Sequence, residues 1–175
     1  MNKRLFLLIA EDEPDLLEIL VELLSPLGFP IETAKNGNEL FAKALRNDIA
    51  AILSDIKMPG LTGIEVLQIL RDKDIHTPVI FLTGYGDKNI VVEALRLGAF
   101  DFLDKPFDFS ELNNTVSEAL DIGQRLKSID EEVNNLVKKY NIQKEDIGKF
   151  KEVQKTILIM KIKNEIAFKA KKRIG

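Results

Sequence analysis

Residues 49–84 read IAAILSDIKMPGLTGIEVLQILRDKDIHTPVIFLTG. Two short apolar runs, Ile49–Ser54 and Pro78–Leu82, enclose a segment of helical period that begins near Leu61. The runs are apolar almost throughout, as in strands covered on both faces. A strand, a helix and a second strand in that order form one crossover unit of a parallel sheet. The pattern extends outward in both directions. Candidate strands Leu5–Ala10 and Phe29–Thr33 precede it, Phe100–Leu103 follows it, and further helices begin near Pro14, Gly37, Asp87 and Asp108. Local signals agree. Pro14 suits a first helical turn, where its missing N–H costs nothing. Gly28 and Gly98 follow helical stretches and suit C-terminal stops. Asp87 and Ser110 are expected to cap helix N-termini. Five alternations with right-handed crossovers predict an α/β fold with helices on both faces of the sheet.

Composition narrows the chemistry. The chain has 175 residues, 45% hydrophobic and 30% charged, which suits one domain plus an extension. It has no Cys and one His, so disulfides, thiolate nucleophiles, thiolate metal sites and multi-His metal sites are excluded. No apolar run reaches the roughly 18 residues of a membrane helix. The N-terminal run Leu5–Ala10 meets Glu11, Asp12 and Glu13 at once, so it reads as a strand rather than a signal peptide, and a cytoplasmic protein is expected. The net charge of −3 hides a polarity. Residues 1–120 carry 11 basic and 20 acidic side chains, residues 121–148 carry 5 and 6, and residues 149–175 carry 9 and 2. An acidic globular part thus precedes a basic tail, which points to two segments with different tasks.

Chemistry in a parallel α/β sheet collects at the carboxyl ends of the strands. Glu11 and Asp12 follow the first strand, Asp55 the third, Thr83 and Gly84 the fourth, and Asp104, Lys105 and Pro106 the fifth. Taken singly, each has a structural reading: Asp55 as a helix cap, Asp12 as a surface carboxylate, Thr83 as a turn residue, Lys105 as a solvated cation before a proline. Their joint arrangement at strand ends is harder to reach by accident. Glu11, Asp12 and Asp55 at about 4–5 Å would repel by roughly 3–4 kcal/mol per pair at an effective dielectric of ~20. Such a cluster calls for a counterion or a raised pKa. Oxygen donors alone select a hard cation, Mg2+ first. A carboxylate among them can act as nucleophile and form an acyl phosphate. Lys105 can offset phosphoryl charge and Thr83 can donate a hydrogen bond to it.

The stretches A-E-D-E-P at 10–14, D-I-K-M-P-G-L-T-G at 55–63, T-P-V-I-F-L-T-G at 77–84 and G-A-F-D-F-L-D-K-P-F at 98–107 resemble, together and in order, the receiver domains of two-component response regulators. The resemblance covers roughly residues 4–120. It implies a flavodoxin-like doubly wound sheet of five parallel strands in the order 2-1-3-4-5. It implies that Asp55 is the phosphoacceptor and that Mg2+ is held by Asp12, Asp55 and the backbone carbonyl of Lys57, with Glu11 completing the acidic pair through water. Thr83, Gly84 and Lys105 would bind the phosphoryl group, Thr83 and Phe102 would act as the switch, and Pro106 would follow a cis bond. Gly84 and Phe102 depart slightly from the commoner family residues. Lys57 and Tyr85 would flank the path of an attacking water and set the phosphate lifetime. The phosphodonor would be a sensor histidine kinase or phosphotransfer protein, since His76 sits in a loop without the helical acidic setting of a phosphorylatable His. Beyond self-catalysed phosphotransfer and autodephosphorylation no enzyme activity is implied.

The remainder reads as a helical extension, so the expected division is 1–122 and 123–175. Ala119, Ile122, Leu126, Ile129, Val133, Leu136 and Tyr140 step by three and four, as do Phe150, Val153, Ile157, Met160, Asn164, Ala167, Lys171 and Ile174. A break is expected near 141–148. Two such helices predict a coiled coil or helical hairpin that forms a homodimer through residues 119–174. Three readings compete, one of them binding of the tail to a membrane surface. A DNA-binding regulator would use the basic last helix, although no helix-turn-helix pattern is present and nucleic acid is not the expected partner. A receiver-like scaffold that never carries phosphate would act through its coiled coil alone.

Overall fold

The computed structural model describes residues 4–84 and 88–140, and the expected break and second tail helix lie outside them. The elements are β1 (Phe6–Ala10), α1 (Pro14–Leu24), β2 (Ile31–Ala34), α2 (Gly37–Ala44), β3 (Ile49–Asp55), α3 (Gly63–Asp72), β4 (Val79–Thr83), α4 (Lys88–Arg96), β5 (Asp101–Asp104) and α5 (Phe109–Tyr140). The five strands are parallel in the order β2-β1-β3-β4-β5. The fold is therefore the flavodoxin-like doubly wound fold. Two compact units divide the chain, residues 1–123 and 124–175. In the second, described to Tyr140, residues 124–140 are helical, and Ser128 Oγ donates to the Gln124 carbonyl at 3.0 Å. No described helix is long and apolar enough to cross a membrane.

The sheet centre is dry. Leu7, Leu8, Ile9, Leu53, Ile80, Phe81 and Leu82 are completely buried. Each contributes about 1.5–3 kcal/mol of apolar burial against its unfolded exposure. The edge strands depart from the expected burial on both faces. Ile31, Glu32 and Thr33 of β2 and Phe102 of β5 are half-buried, because an edge strand has a neighbour on one side alone.

Helix boundaries follow capping chemistry. Thr62 and Glu65 form a reciprocal capping box that starts α3 at Gly63. Asn36 caps α2 through Glu39 N at 2.9 Å. At α5 the expectation of Ser110 is corrected. The carboxylate of Asp108 accepts from Ser110 N at 2.8 Å and Glu111 N at 3.1 Å, so Ser110 lies inside the first turn. An ionised carboxylate facing the helix N-terminus outcompetes a hydroxyl for those donors. The expected stop at Gly28 closes a short 3-10 turn (Ser25–Leu27) after α1, with φ +79°. Gly123 lets α5 approach β3 closely, since a Cβ there would lie 1.7 Å from the Ala50 carbonyl oxygen.

A half-buried cation ties the opposite edge together. Arg71 donates to the carbonyls of Ile75 at 2.6 Å and Gly98 at 2.9 Å. Burial pushes its guanidinium down to about 10, still charged at neutral pH. His76, at 2.8 Å from Asp74 Oδ1, precedes β4 and so lies at the amino edge of the sheet.

Candidate functional site

Parallel strands in register deliver their carboxyl ends to one edge. Glu11 follows β1, and its backbone N–H donates to the Ala34 carbonyl of β2 at 3.1 Å. Its side chain is completely buried, with Oε1 accepting from Glu13 N at 3.3 Å. Asp12 is exposed. Asp55 ends β3, and its Oδ1 accepts from Lys57 N at 2.9 Å. Gly63 holds α3 against this strand, since a Cβ would lie 2.7 Å from the Asp55 carbonyl oxygen and 2.8 Å from Phe81. The structural alternative for Asp55 fails: Thr62 caps the helix that follows β3.

One carboxylate oxygen from each of Glu11, Asp12 and Asp55 falls within 4.8 Å of the others. Opposite them, Lys105 Nζ donates to Glu11 Oε2 at 2.9 Å and Asp55 Oδ2 at 2.5 Å. Burial pushes the Glu11 carboxyl up, and the nearby Asp55 charge adds to that rise, while Lys105 pulls it back in part. Burial opposes the charged form of Lys105, but hydrogen bonds to Asp55 and Glu11 outweigh it and hold the ammonium above its ordinary range. The two shifts have one meaning. Three carboxylates face one ammonium, so the cluster carries an excess of negative charge. A divalent cation relieves the same excess, and an all-oxygen donor set of this spread fits a hard ion such as Mg2+.

Thr83 ends β4 opposite Asp104 of β5 and is almost completely buried. Its hydroxyl donates to Asp104 Oδ1 at 2.8 Å, and its carbonyl accepts from Lys105 N at 2.7 Å. Gly84 is exposed, and Tyr85 lies outside the described residues. Phe102, half-buried, packs against the core. The Lys105–Pro106 peptide is cis. The structure thus gathers Glu11, Asp12, Asp55 and Lys105, and turns the Thr83 hydroxyl to Asp104. Sequence reasoning assigned Asp104 no role. The available signal was register: the last residues of two adjacent parallel strands stand side by side.

Comparison with known proteins agrees with this fold. The family model for the response regulator receiver domain matches residues 7–117. The C4-dicarboxylate transport transcriptional regulatory protein DctD of Pseudomonas aeruginosa is 36% identical over 115 residues, 66% of this chain and 25% of that protein. The regulatory protein AtoC of Escherichia coli is 39% identical over 133 residues, 74% of this chain and 27% of that protein. The chain therefore spans about a quarter of the length of these relatives. Among solved structures, a response regulator receiver domain protein from Clostridium thermocellum superposes with a TM-score of 0.63 at 30% identity, covering 70% of this chain and 98% of that one.

Proposed function

The chain belongs to the response-regulator receiver family, and from that premise we propose that it accepts a phosphoryl group on Asp55 from a partner's phosphohistidine. The single observation that carries this reading is the Lys105 ammonium bridging Glu11 and Asp55 beside a third carboxylate, the exposed Asp12. An Asp55 carboxylate oxygen attacks phosphorus, the N–P bond of the donor breaks, and the imidazole leaves with its electron pair. Hydrolysis then returns the carboxylate and releases inorganic phosphate. Lys105 orients Asp55 and offsets the charge that arrives with the phosphoryl group. Thr83 donates its hydroxyl to a phosphoryl oxygen, and Gly84 leaves room for the group. Asp12, Asp55 and the Lys57 carbonyl would hold Mg2+, with Glu11 acting through water. When bound, that ion neutralises the acidic cluster and the transferred oxygens. Capture of the phosphoryl group by Thr83 moves Phe102 and shifts the α4–β5–α5 face between two packed arrangements.

The phosphodonor is a sensor histidine kinase or phosphotransfer protein, in a cytoplasmic setting. Output passes through protein–protein contact by the helical extension, as a homodimer. The curated relatives named as transcriptional regulators, together with the basic charge of residues 149–175, favour a second output, nucleic-acid binding. A steep loss of binding with added salt would identify it. Light scattering with and without beryllofluoride tests the dimer, and a monomer in both states contradicts it. The phosphoacceptor assignment is tested with labelled acetyl phosphate: Asp55→Asn abolishes labelling, and label retained on that variant refutes it.

A further inference from the structure

We propose that Asp104 is a positioning residue, a latch that keeps the Thr83 hydroxyl turned away from Asp55 until a phosphoryl group claims it. The inference rests on the reading of Asp55 as phosphoacceptor and Thr83 as phosphoryl-binding. Thr83 is 1% exposed, so water is not at hand and its hydroxyl needs a partner within the protein. The partner is a carboxylate, Asp104 Oδ1 at 2.8 Å, and a hydrogen bond to an ionised acceptor is stronger than one to a neutral oxygen. The bond is built into the sheet: Thr83 and Asp104 are register partners at the carboxyl ends of β4 and β5. The next residue closes the grip, because Lys105 N donates to the Thr83 carbonyl at 2.7 Å. Two consecutive residues therefore divide the labour. Lys105 directs its ammonium to Glu11 and Asp55, and Asp104 takes the hydroxyl of the strand beside it.

A threonine hydroxyl has one proton to donate. It cannot serve Asp104 and a phosphoryl oxygen together, so binding the phosphoryl group through Thr83 requires the Asp104 bond to break. Asp104 is solvent-exposed, so water can solvate the released carboxylate. The latch thus sets a threshold for switching without blocking it. It stabilises the resting arrangement and lowers apparent affinity for the phosphoryl group by the weight of one hydrogen bond.

The experiment measures beryllofluoride affinity of the full chain in Mg2+, and the NMR signal of the Thr83 γ-methyl group. Asp104→Ala is expected to tighten binding about fivefold, the equivalent of one net hydrogen bond. It also moves the unliganded Thr83 methyl signal toward its beryllofluoride-bound position. Asp104→Asn removes the charge but keeps an acceptor oxygen, so its gain is about twofold or less. In a Thr83→Val background, Asp104→Ala changes nothing. Equal gains for the Ala and Asn variants, or a gain that persists without the Thr83 hydroxyl, would mean simple charge repulsion and overturn the latch. An unchanged affinity together with an unmoved Thr83 signal overturns it as well. The methyl signal of Asp104→Ala carries the test by itself if Thr83→Val does not fold. Failure of the parent chain to bind beryllofluoride or to label on Asp55 would remove the phosphoacceptor reading itself, an outcome distinct from failure of the latch.

Discussion

Two ionic clusters in the receiver unit make opposite use of charge. On the surface beside β2, Arg46 pairs with Glu32 at 2.9 Å and Asp48 at 2.9 Å, and Lys43 reaches Glu32 at 3.6 Å. Two cations meet two anions, all of them partly solvated. At the carboxyl edge of the sheet, three carboxylates meet the Lys105 ammonium, and Glu11 has no solvent at all. The first cluster is balanced and screened, and it asks for nothing further. The second is unbalanced where screening is weakest, which costs stability in the empty protein. A fold tolerates that cost where something else supplies the missing positive charge. The contrast separates a solvated surface network from a site.

The largest break in this contrast comes from Lys105→Met. It strips the ammonium from Glu11 and Asp55 and should slow acetyl-phosphate labelling by about a hundredfold or more. In metal-free buffer it should also cost about 1–3 kcal/mol in urea unfolding, because Glu11 is left buried without its cation. Labelling within a few-fold of the parent chain would show that Lys105 plays no part in the chemistry. Next comes Gly63→Ala, whose Cβ must find space 2.7 Å from the Asp55 carbonyl oxygen. Overpacking there should cost about 1–3 kcal/mol and slow labelling as Asp55 shifts. Unchanged unfolding and labelling would show that α3 does not position the acceptor. Asp12→Asn works the other way. It relieves repulsion and should raise the metal-free melting temperature by about 2–4 °C, while reducing the gain from Mg2+. A fall in metal-free melting temperature would mean that the cluster is not repulsive. The smallest effect belongs to Arg46→Ala, which should leave the melting temperature within about 2 °C and labelling unchanged. A large loss of labelling there would erase the distinction between the clusters.

Much of this was legible in the sequence, for identifiable reasons. The central strands are continuous apolar runs because both faces are covered, and such runs announce themselves. Strand ends then placed Glu11, Asp12, Asp55 and Lys105 on one edge without any coordinates. Three features escaped. Ser110 was favoured as a cap because hydroxyls are common there, but capping is decided by which side chain faces the free N–H groups, and that was Asp108. Asp104 had no assigned role, since its meaning depends on the residue across the sheet. Arg71 had no assigned role either, although it reaches the carbonyl of Gly98, 27 positions away in sequence. All three are settled by pairings between residues, and a periodic pattern does not encode them. The two tail periodicities were equally clear, yet beyond Tyr140 they fall outside the described residues.

The account stands most directly on a Mg2+ titration of the intact chain, followed by thermal unfolding and repeated on an Asp12→Asn, Asp55→Asn double variant. It predicts saturable stabilisation of the parent chain and none of the double variant. A parent chain indifferent to Mg2+, or a double variant stabilised to the same extent, would contradict it.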